Sequence, residues 1–171
     1  MPDTGGPQGF FSERFDPRKH DVSTFSCGVD NLDAWLREQA GSADARRTAR
    51  TWVWATRGGD VVGYYALAAH KVQREHVPTR IGRGGPAEIP TVLLARLALS
   101  VDLQGKGLGA ALVADALERV VVATKVVAAR LVVVDALDEN AAQFYERLGF
   151  RRIPTSMRLV QKISDIEAAL G

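Results

Sequence analysis

Two stretches of the chain carry residue types and spacings that could do chemistry. The first is Gln104-Gly105-Lys106-Gly107-Leu108-Gly109. Upstream lies an apolar, strand-like run over residues 92–99. Downstream, Leu108, Leu112, Ala116, Val120 and Ala123 recur at helical spacing, leaving Asp115, Glu118 and Arg119 for the opposite side. Strand, glycine-rich turn and helix N-terminus, in that order, make an anion site. Glycines admit close backbone approach, successive N–H groups point into the turn, and the helix macrodipole adds positive potential. A phosphate or pyrophosphate is the natural occupant. The glycines do not follow G-x-G-x-x-G, and Gly109-Ala110-Ala111-Leu112 supplies no Lys-Ser or Lys-Thr, so spacing excludes both common nucleotide loops.

The second stretch is Asn140-Ala-Ala-Gln-Phe-Tyr-Glu-Arg-Leu-Gly-Phe150. Asp138 is placed to cap a helix over residues 139–148, with Ala141, Phe144, Tyr145 and Leu148 on one face and Gly149 ending it. That periodicity turns Tyr145 inward, where its hydroxyl needs a partner. The residues alone leave two roles open, a core tyrosine with a satisfied hydroxyl or a positioned acid. No Glu or His is singled out as a base among Glu75, Glu88, His70 and His76. The lone Cys27 reads as a small buried residue rather than a nucleophile, and one cysteine makes no internal disulfide or zinc cluster.

The elements that must position these stretches follow from composition and period. Residues 1–9, with two prolines and three glycines, read as a loose tail, and residues 10–171 as a single domain. A short strand over 10–15 leads through turns into a helix with Val29, Leu32, Trp35, Leu36 and Ala40 on one face, ended by Gly41. A second short helix covers 43–49. Strands over 51–57 and 61–72 form a hairpin at Gly58-Gly59, with Gly63 a bulge or close-approach point. Residues 78–90, rich in Gly and Pro, read as a mobile excursion rather than a packed element. The anchor strand and helix come next, then a strand over 130–137 that is apolar on both faces, the Tyr145 helix, a strand over 157–162 and a helical tail. Antiparallel strands followed by strand-helix-strand-helix-strand mean a mixed sheet with helices on both sides.

With 46% hydrophobic and 25% charged residues, the composition is that of an ordinary globular chain with material for a core. No apolar run approaches the roughly 20 residues of a membrane span, and the N-terminus lacks the regions of a signal peptide, so a cytoplasmic location is expected. A net charge of +2 does not by itself imply nucleic acid. The charge is unevenly spread, however. Residues 37–57 hold five arginines against Glu38 and Asp44, and residues 71–106 hold six Lys and Arg against Glu75, Glu88 and Asp102. That excess could attract a polyanion or be solvated surface.

The pattern Q-x-x-G-x-G/A formed by Gln104 to Gly109 resembles the acetyl-coenzyme A loop of the GNAT N-acetyltransferases. Residues 140–150, following a buried strand, resemble the family's N-x-x-x-F-Y-x-x-x-G-F. The likeness runs over roughly residues 51–162 and implies an α/β (α+β) GNAT fold whose mixed, mostly antiparallel central sheet is splayed where acetyl-CoA binds. By the same resemblance Gln104, Gly105, Lys106, Gly107, Leu108, Gly109 and Ala110 would hold the cofactor. The backbone of Leu97, Ala98 and Leu99 would pair with its pantetheine amides, as a peptide adds to a sheet edge. Asn140 would bond the same arm, Phe144 would also contact the cofactor, and Tyr145 would protonate the departing thiolate. Transfer would be direct, with no acyl-enzyme and no metal.

Residues 20–36, residues 62–69 and residues 90–99 are similar to one GNAT subgroup, the toxins of type II toxin–antitoxin pairs that acetylate the amino group of aminoacyl-tRNA. Ala95 and Ser100 depart from the subgroup's usual residues. This likeness implies translation block, a ribbon-helix-helix antitoxin as partner and a homodimer. The chemistry agrees, because an α-amino group, with a pKa of about 7.7–8.0 in peptides, needs far less help to lose its proton than a lysine near 10.4. Arg37, Arg46, Arg47, Lys71, Arg74, Arg80, Arg83 and Arg96 could then hold the acceptor stem through phosphates. Arg96, which interrupts the anchor strand, ranks highest, with an outward residue or an internal ion pair as its plain alternative. The other readings are an acetyltransferase for a small amine or a protein amine, and a coenzyme A-binding regulatory module without turnover.

Overall fold

The computed structural model describes residues 9–171, so the tail expected over residues 1–9 lies outside the described residues apart from Gly9. Seven strands and six helices are present among them: β1 Phe11–Arg14, α1 Asp30–Glu38, α2 Ala40–Ala45, β2 Arg50–Ala55, β3 Val61–Gln73, α3 Thr79–Gly82, β4 Glu88–Leu99, α4 Leu108–Ala123, β5 Leu131–Asp135, α5 Glu139–Arg147, β6 Arg151–Arg152, β7 Arg158–Lys162 and α6 Ile163–Leu170. The chain divides into two compact units, Met1–Leu67 with Arg96–Asp115, and Ala68–Ala95 with Ala116–Gly171.

In the first unit the strand order is β1-β2-β3-β4. Strand β2 pairs antiparallel with β1 and β3, and the register to β3 slips between Trp54 and Ala55, leaving Val62 as the extra residue. β-Branched and aromatic residues suit this half-buried pleated surface. Phe25, Leu36, Val53, Val61, Tyr64 and Ala98 make its core, with Leu32 and Trp35 of α1 packed against it. A methyl group on Gly63 would come within 3.2 Å of Leu99 Cδ1 and 3.5 Å of the Ala98 carbonyl, so the close approach expected there is real. Two local expectations fail. Gly41 does not end α1; it lies inside α2, whose Ala40 is fully buried. Asp115 is not on a solvated face: its Oδ2 accepts from Ser12 Oγ (2.6 Å), Tyr65 OH (3.1 Å) and Trp54 Nε1 (3.2 Å). Helical spacing alone cannot show that buried donors wait opposite a polar position.

In the second unit the order is β3-β4-β5-β7-β6. Strands β4 and β5 are parallel, from Thr91 opposite Leu131 to Leu94 opposite Val134, and β7 runs antiparallel to β5. A strand enclosed on both faces reads as a continuous apolar run, as Leu131-Val-Val-Val134 does. Val72, Val77, Ile81, Ile89, Leu131, Val133 and Val160 form the core. Residues 78–90 are therefore a packed element, against expectation. Val77, Ile81 and Ile89 anchor them, Arg74 Nη1 donates to the Gly85 carbonyl (2.9 Å) and Arg130 Nη2 to that of Arg83 (2.6 Å). Glycine and proline content signalled a loop, while the three apolar anchors, spaced too irregularly to show a period, carry the packing.

Candidate functional site

The glycine turn belongs to the first unit. Gly105 and Gly107 take positive φ, 77° and 80°, and nothing lies within 4 Å of where either would carry a Cβ. Only glycine adopts this conformation without strain, and its backbone stays open to a ligand. Helix α4 starts immediately after, at Leu108, so its first N–H groups lack intrahelical acceptors. Leu108 is buried and anchors the helix start, while Lys106 is exposed. Gln104 behaves differently from the others. Its Nε2 donates to the carbonyls of Leu99 and Cys27, both at 2.8 Å, which commits both amide hydrogens. It ties the turn to the end of β4 and to the segment before α1. Cys27 is buried, and burial with the nearby Asp33 pushes its thiol up to about 11, the opposite of a nucleophile's setting.

Strand β4 outruns its parallel partner. The ladder to β5 ends at the Leu94–Val134 pair, whereas β4 continues to Leu99. Residues 95–99, which include Leu97, Ala98 and Leu99, therefore run on beyond the β5 pairing. A strand edge of this kind can pair with an extended amide-bearing ligand.

Tyr145 belongs to the second unit. Asp138 caps α5 by accepting from Ala141 N–H (2.8 Å), as expected. Gly149, with φ of 101°, closes the helix, and a side chain there would meet Gln161 Nε2 at 2.8 Å. Arg152 clamps α5 to β6 by donating to both oxygens of Glu139 and to Glu146. Tyr145 is 7% exposed, and its ring sits edge-on between Phe144 (5.2 Å) and Phe150 (5.6 Å). Among the described residues no group accepts a hydrogen bond from its hydroxyl. Burial pushes the phenol up to about 12, so it keeps its proton at neutral pH. Asn140 is exposed in the first turn of the same helix and does not cap it.

The basic residues fall into different settings. Arg46, Arg47, Lys71, Arg74, Arg80 and Arg83 are exposed. Lys71 Nζ pairs with Glu88 at 3.0 Å and lowers that carboxyl's pKa. Arg37 donates to the Phe25 carbonyl at 3.2 Å. Arg96 is half-buried, with its guanidinium over the Trp35 ring. Sequence reasoning missed one charged group altogether. Arg158 grips Asp135 through Nε–Oδ1 (2.7 Å) and Nη2–Oδ2 (2.8 Å), and its Nη1 lies 3.1 Å from His70 Nε2. Three residues from three strands leave no local motif to find.

The first unit thus offers an open glycine turn at a helix start and a β4 edge that runs past the β5 pairing, and the second a buried phenol with an unused hydroxyl. Comparison with known proteins fits these parts. Residues 47–152 match the acetyltransferase (GNAT) domain. A tRNA-acetylating toxin of Mycobacterium tuberculosis is 38% identical over 152 residues, 88% of this chain and 91% of its own. The structure of AtaT complexed with acetyl-methionyl-tRNAfMet superposes with a TM-score of 0.87 at 29% identity, covering 95% of this chain and 99% of that one. A Tyr-to-Phe mutant of AtaT, bound to the C-terminus of the antitoxin AtaR and acetyl-CoA, gives 0.80 at 28% identity over 94% and 98%.

Proposed function

The chain belongs to the GNAT acetyltransferases, and from that premise we propose that it moves acetyl from acetyl-CoA to the α-amino group of an aminoacyl-tRNA, acting as a toxin that blocks translation. The observation that carries this reading is the likeness, over nearly the whole chain, to a tRNA-acetylating toxin.

The residues present fit acetyl-CoA. Gly105 and Gly107 leave open backbone for a pyrophosphate, and the edge of β4 at Leu97, Ala98 and Leu99 can pair with pantetheine amides. Lys106 completes the turn, Leu108, Gly109 and Ala110 begin α4, and Gln104 holds the turn in place. Asn140 is assigned to the pantetheine arm and Phe144 to the cofactor. When bound, acetyl-CoA supplies a thioester carbonyl for the amine to attack. Tyr145 Oη holds the proton that the leaving sulfur needs, and burial keeps that proton in place until negative charge develops. No base is required of the chain, because an α-amino group, at about 7.7–8.0 in peptides and lower beside an electron-withdrawing ester, is partly neutral at physiological pH, and water can take the proton that the nitrogen sheds after attack. Arg46, Arg47, Lys71, Arg74, Arg80, Arg83 and Arg96 are assigned to the tRNA, with salt-sensitive affinity. By likeness to AtaT with AtaR an antitoxin partner is expected, and the resemblance to the toxin subgroup adds that it is of ribbon-helix-helix type and that the toxin is a homodimer in the cytoplasm.

The test is acetyl transfer from labelled acetyl-CoA to a pool of charged tRNAs, alongside uncharged tRNA, free amino acids and polyamines. Label on charged tRNA alone supports the reading. Label only on small amines leaves an acetyltransferase of another substrate, and none on anything leaves a coenzyme A-binding module.

A further inference from the structure

The second unit holds a cavity of about 330 Å³ between the end of β3 and the turn joining β6 to β7. Val72 and Ile153 give it apolar contacts, and Lys71, Gln73, His76, Ser156 and Arg158 give it polar ones. Two of these are cations, three are groups able to hydrogen-bond, and no carboxylate lines the space. Glu88 pairs with Lys71 and Gln73, Asp135 with Arg158 and Glu75 with His76. Those pairings leave donors over. Lys71 spends one of its three hydrogens on Glu88, and Arg158 spends three of its five on Asp135 and His70.

The wall is fixed by its own hydrogen bonds. Ser156 N–H donates to the Ile153 carbonyl (3.1 Å), Arg158 N–H to Ser156 Oγ (2.9 Å) and Ile153 N–H to the Arg158 carbonyl (2.9 Å). Arg158 also ties the cavity to the sheet. It lies opposite Asp135, one residue beyond the Leu94–Val134 pair at which β4 and β5 part. The cavity therefore adjoins the end of the β4–β5 ladder.

We propose that this cavity is the subsite for a ribose-phosphate unit near the aminoacylated end of the acceptor RNA. The chemistry favours RNA over a peptide acceptor. Cations with donors to spare suit a phosphate, and the amide, imidazole and hydroxyl suit a 2′-hydroxyl, which both donates and accepts. The proposal rests on the aminoacyl-tRNA reading and gives Gln73, His76, Ser156 and Arg158 a role in it.

Steady-state acetylation of charged tRNA by Gln73→Ala/His76→Ala and by Lys71→Ala tests it, with binding of uncharged tRNA measured in parallel. Each variant should raise KM for charged tRNA by about tenfold and leave kcat within about twofold. Uncharged tRNA should bind correspondingly weaker, while Lys125→Ala, remote in sequence from the cavity, changes neither. Equal thermal midpoints show that the exposed substitutions leave the fold intact. If wild-type enzyme acetylates charged tRNA and all variants share its KM, the subsite is wrong and the tRNA reading stands. If wild-type enzyme acetylates peptide N-termini or small amines but no charged tRNA, the reading itself falls and the subsite with it.

Discussion

The guanidinium carbon of Arg96 sits 4.6 Å from the centre of the Trp35 ring. Trp35 in turn stacks on Tyr64, with centroids 6.0 Å apart and planes 9° from parallel, and the Tyr64 hydroxyl donates to the Leu32 carbonyl at 2.7 Å. The arginine that interrupts an apolar strand thus caps an aromatic column joining β4 to α1. Arg96→Ala should lower unfolding stability by about 1 kcal/mol, within the range of a partly desolvated cation–π contact. Arg96→Lys should recover only part of it, because an ammonium lacks the flat stacking face. Urea unfolding of the three proteins checks this, and unchanged midpoints would return Arg96 to the solvated surface.

Gln104 makes a sharper case, since substitution by glutamate should be worse than by alanine. Alanine leaves two carbonyls without a donor. Glutamate points a charged acceptor at the same two carbonyls, at an added cost of about 1–3 kcal/mol. The turn should loosen in both, with KM for acetyl-CoA rising more in Gln104→Glu. A Gln104→Glu variant with the KM of wild type would show that the amide does not hold the turn.

Tyr145→Phe removes a hydroxyl that no described residue uses, so stability should hold while kcat falls by about 10²–10³-fold. The pH profile follows from the raised phenol. Rate should climb as the acceptor amine deprotonates around pH 8 and show no fall below pH 10, because Tyr145 stays protonated until about 12. In stability terms, a folded pKa above the unfolded value of about 10 gives a contribution complete below pH 10 and lost as pH rises toward 12. Initial rates between pH 6 and 10 decide the first point, and a descending limb near pH 8 would remove Tyr145 as the acid.

Asp115→Ala should destabilise by about 3 kcal/mol, because the buried Trp54 and Tyr65 lose a charged acceptor. Asp115→Asn keeps one acceptor oxygen and should lose about half as much. Thermal unfolding measures both, and a neutral Asp115→Ala would mean that water satisfies the donors.

How much of this was legible in the sequence depended on whether the signal was local. The turn at Gly105 and Gly107, the Asp138 cap, the Tyr145 face and the buried β5 all follow from spacing within a few residues. What escaped was decided by partners far away along the chain. Asp115 looked solvated because Ser12, Trp54 and Tyr65 come from 103, 61 and 50 residues upstream. The tie that Gln104 makes to the Cys27 carbonyl could not be read because that partner lies 77 residues away. Residues 78–90 looked loose because the holding side chains, Arg74 and Arg130, flank them from outside.

The near-complete enclosure of β5 has a price before the fold exists. Leu131, Val132, Val133 and Val134 are each 3% exposed or less, so on a nascent chain they form an uncharged, largely β-branched segment able to stack with copies of itself. Its natural neighbour is a parallel strand whose paired residues lie 40 positions earlier, which makes its capture a late event. Two charges bracket the segment, Arg130 before it and Asp135 after it. In the finished protein Arg130 holds the Arg83 carbonyl and Asp135 holds Arg158, while in an unfolded chain charges flanking an apolar strand oppose its stacking with copies of itself. Solubility of the unfolded chain and geometry of the folded one are therefore vested in the same two side chains.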